Sequence, residues 1–295
     1  MQSDIKPSRA RRGSRGRKGN KRANATGLQQ IAWQVPKNTD TPIAPLPPEG
    51  VAAIHHTAMR ILEEVGVEFL NLEAVDTLRQ AGCTILNETR DGALVKMDRA
   101  LVMDKISHAP AKFFITPRNL DRQIIIGGQH MVFGSIASPP NCSDLDRGRR
   151  PGDRQSHRDL VKLSQFFNCI HFIGGYPVEP VDSHASVRHL DCLHDQLTLS
   201  DKVVHAYSLG AGRVNDVIEM VRIAGGLTEQ EFAQTPRMFT NINSTSPLKH
   251  DFPMLDGLMR LSRCGQPTIV TPFTLAGAMS PITLAGTVAQ SIAEA

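Results

Sequence analysis

The spacing of apolar residues changes partway along the chain. In the first part, apolar residues recur every three or four positions in three stretches, which is typical of amphipathic helices. These predicted helices cover 48–65, 71–81 and 98–107. Asn71 and Asp98 are suitable N-cap residues, and Gly66 supplies a stop. Two short β-rich runs at 113–116 and 124–126 then predict a hairpin.

After about residue 130, predicted strands and helices alternate. The strands cover 131–135, 170–174, 202–207, 238–243 and 268–271. The helices that follow them cover 158–167, 185–197, 214–224, 252–263 and 282–295. From the second strand onward the strands start roughly 30 to 36 residues apart, which is the period of a βα repeat. The pattern therefore predicts an α/β fold with a parallel sheet.

Five βα units are too few to close a (β/α)8 TIM barrel. The last predicted helix also stops in mid-pattern, without a glycine or a basic last turn. Two interpretations remain, an incomplete barrel in a fragment of a longer chain or an open doubly wound sheet of about five strands. We favour the incomplete TIM-type barrel. The predicted division is a disordered basic tail at 1–24, a linker with a helical and α+β region at 25–130, and a partial β/α barrel at 131–295.

Charge is unevenly distributed along the chain. Residues 1–22 contain nine Lys or Arg and one acidic residue, which leaves 24 basic and 28 acidic residues, a net charge of −4, for the remainder. The tail is nearly free of large apolar side chains, so we expect it to be disordered. It is either a phosphate-binding or targeting arm or a solvated extension without a specific partner. The acidic body argues against nucleic-acid binding as the main function.

The sequence indicates neither a membrane protein nor a secreted one. No apolar run approaches the ~18 residues that a spanning helix needs, and the N-terminus lacks the apolar core of a signal peptide. The five cysteines are odd in number and widely spaced, without a CxxC pair. We therefore expect free thiols in a reducing cytoplasm.

Candidate binding residues lie where the predicted strands end, because both architectures bind ligands at the carboxyl ends of parallel strands. The segment GGYPVEP turns sharply after a strand and either presents Tyr176 and Glu179 to a ligand or is a structural turn. In VVHAYS, His205 and Tyr207 alternate onto one face. This histidine is either a general acid or base or a core residue with satisfied hydrogen bonds.

The most polar strand end is NINSTSP at 241–247. Asn241 and Asn243 share a strand face. Their amides would fix a small polar substrate or bind the rim of a tetrapyrrole, or they cap the next loop. The loop from Phe273 to Ser280 avoids charge, which favours a loop that lines a cavity.

Motifs for metals and nucleophiles are missing from the sequence. His55 and His56 are adjacent, so they point to different faces of a helix. His184, His189 and His194 are spaced by five, which does not give a single helix face, so no metal site is predicted. There is no GxSxG motif and no cysteine with an obvious catalytic partner. The sequence alone assigns no catalytic residue.

Several stretches of the chain resemble one known family. They are TPFTLAGAMSPITLAGTVAQSIAEA at 271–295, HHTAMRILEEVGVEF with AGC at 55–69 and 81–83, and GGYPVEPVD with NINSTSPL at 174–182 and 241–248. In this order they resemble the trimethylamine methyltransferase family, that is, trimethylamine:corrinoid methyltransferase-like proteins and their relatives without pyrrolysine. The resemblance extends over roughly residues 45–295.

This resemblance implies a closed barrel longer than the present chain. It also implies a methyltransferase that moves a methyl group from a methylated amine, either trimethylamine or a quaternary amine such as glycine betaine, to the cobalt of a corrinoid. The corrinoid is carried by a separate small protein, and we expect none to bind tightly to this chain. In the trimethylamine enzyme a pyrrolysine follows the segment that ends this chain, so no residue here matches it. We also expect a homo-oligomer.

The predicted substrate-binding residues share a position at the strand ends: Tyr176, Glu179, His205, Tyr207, Asn241, Asn243 and Phe273. In the chemistry that the resemblance implies, the aromatic rings would face a methylammonium cation and Glu179 would add negative charge. The two asparagine amides would hold the polar end of the substrate. The alternative is a non-catalytic protein that binds betaine-like ligands on the same scaffold.

Overall fold

A computed structural model describes residues 28–207 and 210–295 of the chain. The basic tail predicted at 1–24 lies outside these residues. Ala32–Ala295 form one unit by their contacts, and the division at residue 130 stays a prediction. None of the helices in the described ranges has the length and apolar character of a membrane span.

The N-terminal region contains the three helices that the sequence predicts. Its elements are α1 Pro48–Arg60, which continues as a π turn at Ile61–Val65, β1 Val67–Phe69, α2 Leu72–Gln80, β2 Thr84–Leu86, β3 Ala93–Lys96, α3 Arg99–Ser107, β4 Lys112–Ile115 and β5 Ile124–Gly127. Asn71 caps α2 by accepting a hydrogen bond from Ala74 N at 3.1 Å, and Asp98 caps α3 in the same way. The predicted hairpin is confirmed as the antiparallel pair β4–β5.

The second region contains the predicted alternation of strands and helices. Its elements are β6 Asn141–Asp144, β7 Gly148–Pro151, α4 Arg154–Phe166, β8 Phe172–Gly174, α5 Arg188–Leu199, β9 Val203–His205, α6 Ala211–Gly225, α7 Glu229–Gln234, β10 Thr240–Ile242, β11 Lys249–His250, α8 Phe252–Arg263, β12 Thr268–Val270 and α9 Leu284–Glu294. The hairpin β6–β7 occupies what the sequence predicts as a loop. The strand predicted at 131–135 contributes only a single bridge, from Gly134 to Phe172.

The strands β8, β9, β10 and β12 of the second region are neighbours in space in chain order, whereas β11 pairs in parallel with β1 of the first region. β8 pairs in parallel with β9, and β10 pairs in parallel with β12. Parallel bridges from Gly134 to Phe172 and from His205 to Phe239 join these pairs into one sequential series. A doubly wound sheet would reverse its strand order, and this series does not.

The expected TIM barrel is not confirmed. Within residues 28–207 and 210–295, no pairing joins β12 back to the segment at Gly134, so no closed barrel is found. Closure requires the number of strands and their stagger to match, and five strands leave an open edge. The described fold is mixed α/β, with nine helices in these ranges and several small sheets.

Both faces of the parallel series are covered, as expected for a buried parallel sheet. On one face, Val204 and Met238 join an apolar cluster with α5, α6 and α8. On the other face, Val203 and Phe239 pack with Ile115 and Ile124 of the β4–β5 hairpin. The side chains of β9 therefore alternate between the helix layer and the opposite face.

A buried carboxylate holds the last helix against the loop that follows β10. Glu294 is 1% exposed. It accepts hydrogen bonds from Ser246 Oγ at 2.5 Å, from Leu248 N at 2.9 Å and from Gln290 Nε2 at 2.7 Å, and another from Ser244 Oγ. Burial raises the pKa of Glu294, but these hydrogen bonds outweigh burial and leave the pKa below its ordinary value. The STSP part of the motif at 241–248 is therefore structural.

Replacing Glu294 by Ala should lower the free energy of unfolding by roughly 2–4 kcal/mol, because it leaves several buried donors without their charged acceptor. The matched control is Glu219→Ala, which removes a half-exposed carboxylate paired with Arg222 and should lower stability far less. Urea unfolding near pH 7 measures both. Since the folded pKa of Glu294 is lowered, its contribution is complete above the unfolded value of 4.5 and is lost as pH falls through the folded pKa. Equal losses in the two variants at pH 7 would contradict this assignment.

Candidate functional site

Three of the predicted site residues, Tyr176, His205 and Tyr207, meet at the carboxyl ends of β8 and β9. The rings of Tyr176 and Tyr207 lie edge to face with their centroids 4.9 Å apart. His205 lies 5.4 Å from Tyr207 and stacks on Phe239 at 5.0 Å. The predicted alternation of His205 and Tyr207 onto one face is therefore observed.

The two tyrosines border a cavity of about 210 Å³. Its lining consists of Ser138, Tyr176, Glu179, Ala185, Arg188, His189, Tyr207 and Arg213. A smaller pocket of about 20 Å³ shares the two tyrosines and Arg213 and adds His205 and Gln196. The cavity has the location that ligand sites occupy in parallel α/β folds.

Close packing at Gly175 brings the two tyrosines together. Gly175 adopts φ +74°, and a Cβ at this position would lie 2.5 Å from the hydroxyl of Tyr207. Gln196 Nε2 donates a hydrogen bond to Gly175 O at 2.7 Å and fixes the turn. The glycine therefore permits the approach of a tyrosine, not directly of a ligand.

Most of the charges around the cavity are already paired. Arg188 Nη1 donates to Glu179 Oε1 at 2.6 Å, and both side chains are largely buried. His189 Nε2 hydrogen-bonds Asp216 Oδ2 at 2.7 Å. The charge of Glu179, predicted to attract a cation, is thus offset by Arg188.

The ionisable groups nearest the strand ends are neutral at pH 7. Burial lowers the pKa of His205 to about 4, although a hydrogen bond with Asn241 acts in the opposite direction. Its Nε2 has no hydrogen-bond partner among the described residues. Burial also raises the pKa of Tyr176 and of Tyr207, and the Tyr207 hydroxyl hydrogen-bonds Ser138 Oγ. A neutral, buried His205 does not serve as a general acid near pH 7.

Asn241, Asn243 and Phe273 lie farther along the same row of strand ends and do not line this cavity. Asn241 Nδ2 lies 3.4 Å from Asn243 Oδ1, and Thr271 Oγ1 also bonds that oxygen. Phe273 is 56% exposed. Asn241 hydrogen-bonds the side chain of His205, which lines the smaller pocket.

Sequence reasoning misses Arg213, Arg188 and Ser138. Arg213 lies in the first turn of α6, a few residues after the end of β9, where the rule for strand ends could have included it. Arg188 is identifiable only from its contact with Glu179. Ser138 belongs to the polar segment before β6. This segment has no apolar periodicity from which the position of Ser138 could be predicted.

A larger cavity of about 540 Å³ lies apart from these residues. Apolar side chains of α1, α3, α8 and α9 dominate its lining, and none of the predicted site residues contributes to it. It therefore offers few groups for polar recognition or catalysis. No group of three or more His, Cys, Asp or Glu in the described ranges could hold a metal ion.

Comparisons with known proteins agree with one another. Residues 11–295 match the family model described as trimethylamine methyltransferase (MTTB). The chain is 34% identical over 244 residues to a glycine betaine methyltransferase of Desulfitobacterium hafniense strain Y51, covering 83% of this chain and 50% of the relative. It is 27% identical over 242 residues to a trimethylamine methyltransferase of D. hafniense strain DSM 10664 / DCB-2, covering 81% and 47%. A proline betaine:corrinoid methyltransferase of Eubacterium limosum is 23% identical over 256 residues, with 82% and 50% covered. The chain spans about half the length of the curated relatives that it matches.

Replacing His205 by Gln should reduce the pH dependence of stability between pH 4 and 6.5. Below pH 6.5 the unfolded chain binds a proton on this histidine, whereas the folded ring stays neutral down to about pH 4. Stability therefore falls as pH falls through this window, and this group causes no further loss below it. The shift corresponds to roughly 3 kcal/mol across the window.

Urea unfolding at several pH values between 4 and 7 measures this effect. The control is His55→Gln, which makes the same substitution at an exposed histidine on α1. The same slope in wild type and His205→Gln would show that the neutral His205 ring is not the source of the pH dependence.

Proposed function

Because the chain belongs to the trimethylamine methyltransferase family, we propose that it takes part in the transfer of a methyl group from a methylated amine to a corrinoid protein. The observation that carries this proposal is the pair of perpendicular, uncharged tyrosine rings at the ends of β8 and β9. Such ring faces attract methylated ammonium cations, and because both hydroxyls are uncharged, the tyrosines do not act as bases. The matching relatives are named for trimethylamine, glycine betaine and proline betaine.

The sequential parallel strands support the proposal that this region belongs to a (β/α)8-type barrel. In that architecture, the tips of all strands face one mouth, and the loops there bind the substrate. Tyr176, His205 and Tyr207 would then lie within the mouth. Asn241, Asn243 and Phe273 would follow along its rim, in the order of their strands.

The corrinoid partner fits the chemistry of this rim. Phe273 and Leu275 are 56% and 48% exposed and would give a flat macrocycle an apolar surface to contact. When bound, the corrinoid would supply cobalt as the acceptor of the methyl group. The residues of this chain would bind the amine, exclude water and orient one methyl group toward the mouth. Alignment of this kind provides most of the rate in a reaction that needs no proton transfer from the protein.

We also propose that the protein works in the cytoplasm as a homo-oligomer. All five cysteines of the sequence are free thiols, as a reducing compartment requires. The homo-oligomer stays a prediction from the sequence.

Replacing Tyr207 by Ala should lower the kcat/KM of methyl transfer about tenfold, because it removes one of the two ring faces. Tyr207→Phe is the matched control. It keeps the ring, loses the hydroxyl that hydrogen-bonds Ser138 and the backbone of Tyr176, and should stay within about threefold of wild type. The assay adds a methylated amine to the protein and a reduced corrinoid protein and follows methylation of cobalt by its absorption spectrum.

An unchanged rate in Tyr207→Ala would show that the amine binds elsewhere. Saturable binding of the amine without any methyl transfer would favour the non-catalytic binding protein.

A further inference from the structure

Arg213 is a charged residue of the cavity for which the described part of the chain supplies no carboxylate partner. Among the described residues, its guanidinium donates one weak hydrogen bond, from Nη2 to Ala185 O at 3.5 Å. No carboxylate among the described residues lies within ion-pair distance of it, whereas Arg188 is held by Glu179. Arg213 is partly buried, and an anion that binds its guanidinium would gain charge-assisted hydrogen bonds.

The surroundings of Arg213 add to its positive charge. Arg213 lies in the first turn of α6, a helix of 15 residues whose N-cap is Gly210, without a side-chain cap. The positive end of the helix dipole therefore favours an anion near this turn. The charges of Glu179 and Arg188 offset each other within the cavity, so among its lining residues Arg213 is the arginine without a carboxylate partner in the described ranges.

We propose that Arg213 binds a carboxylate of the substrate and thereby selects zwitterionic methylated amines over simple ones. The part of this inference that concerns the ammonium group rests on the proposed function. The position at which a carboxylate would bind depends only on the residues that line the cavity. Arg213 lies close enough to Tyr176 to act on its ionisation, so one small molecule can contact both the guanidinium and the tyrosine rings. The planar guanidinium of an arginine matches the geometry of a carboxylate better than the ammonium group of a lysine does.

The same charge disfavours a substrate that is only a cation. Trimethylamine in its ammonium form, or choline, would bring a positive charge beside Arg213 without a group to offset it. A betaine carries the compensating carboxylate one carbon from its ammonium nitrogen. Arg213 would therefore act as a residue that determines specificity, while the tyrosine faces recognise the methylated nitrogen.

Titration calorimetry with three probes tests this inference on the full chain. Glycine betaine carries both groups, choline carries only the quaternary ammonium, and 3,3-dimethylbutyrate carries only the carboxylate on a carbon skeleton of the same shape. The variants are Arg213→Gln, Arg213→Lys and the control Arg222→Gln. The control makes the same substitution on the same helix at a residue paired with Glu219. Circular dichroism confirms that each variant is folded.

In wild type we expect glycine betaine to bind more tightly than choline. Arg213→Gln should weaken glycine betaine by about tenfold to a hundredfold, abolish the binding of 3,3-dimethylbutyrate and leave choline unchanged or slightly tighter. Arg213→Lys should give an intermediate loss, because it keeps the charge without the fork. Arg222→Gln should match wild type for all three probes.

Two results would overturn the inference while the proposed function stands. One is equal weakening of glycine betaine in Arg213→Gln and Arg222→Gln, and the other is an equal loss of choline and glycine betaine in Arg213→Gln. If wild type binds 3,3-dimethylbutyrate through Arg213 but binds neither methylated ammonium compound, the anion position stands and the proposed function falls. Binding of none of the three probes would contradict both.

Discussion

The site depends on the two-residue alternation of β9. Val204 turns into the helix layer, while Val203, His205 and, beyond the strand, Tyr207 turn to the other face. Because the side-chain period of a strand is two, a slip of one residue against β8 would exchange these two sets. The histidine ring would then enter an apolar cluster and valine would enter the cavity. Burial of apolar side chains on both faces of the parallel series therefore fixes the register that forms the site.

The hydrogen-bond partners of buried charges distinguish structural groups from groups available to a ligand. Glu294 is almost completely buried and is satisfied by hydroxyl, amide and backbone donors, so nothing is left to bind. Glu179 and Arg188 satisfy each other at the edge of the cavity. Arg213 borders the same cavity but has no such partner among the described residues. The same physical rule, that a desolvated charge needs an opposite charge or several hydrogen bonds, assigns the first three to structure and the last to recognition.

Helix positions follow from the sequence where local chemistry decides them. Asn71 and Asp98 cap their helices as predicted, because a side-chain oxygen at the N-cap satisfies free backbone amides regardless of tertiary context. The β6–β7 hairpin is not predictable in this way. Its strands carry no apolar alternation, and its turn is held by Asp144, which accepts from Arg147 N at 2.7 Å and from Arg150 Nη1 at 2.6 Å. Such contacts leave no periodic pattern in the sequence.

The candidate site is only partly predictable for a related reason. Strand alternation identifies His205 and Tyr207, and the turn after β8 identifies Tyr176, since both require only the position of each strand end. It cannot show that Glu179 is neutralised by Arg188, because that contact joins the turn after β8 to the first turn of α5. Strand alternation also cannot show whether a barrel closes, because closure depends on how the edge strands pair.

The placement of Arg213 and Tyr207 has a consequence for substrate choice within the family. Tyr207 follows β9 and Arg213 lies in the first turn of α6, so a single βα connection carries both the aromatic face and the guanidinium. A change in this connection can add or remove a carboxylate contact without changing Val203 and Val204, whose burial on the two faces of the sheet fixes its register.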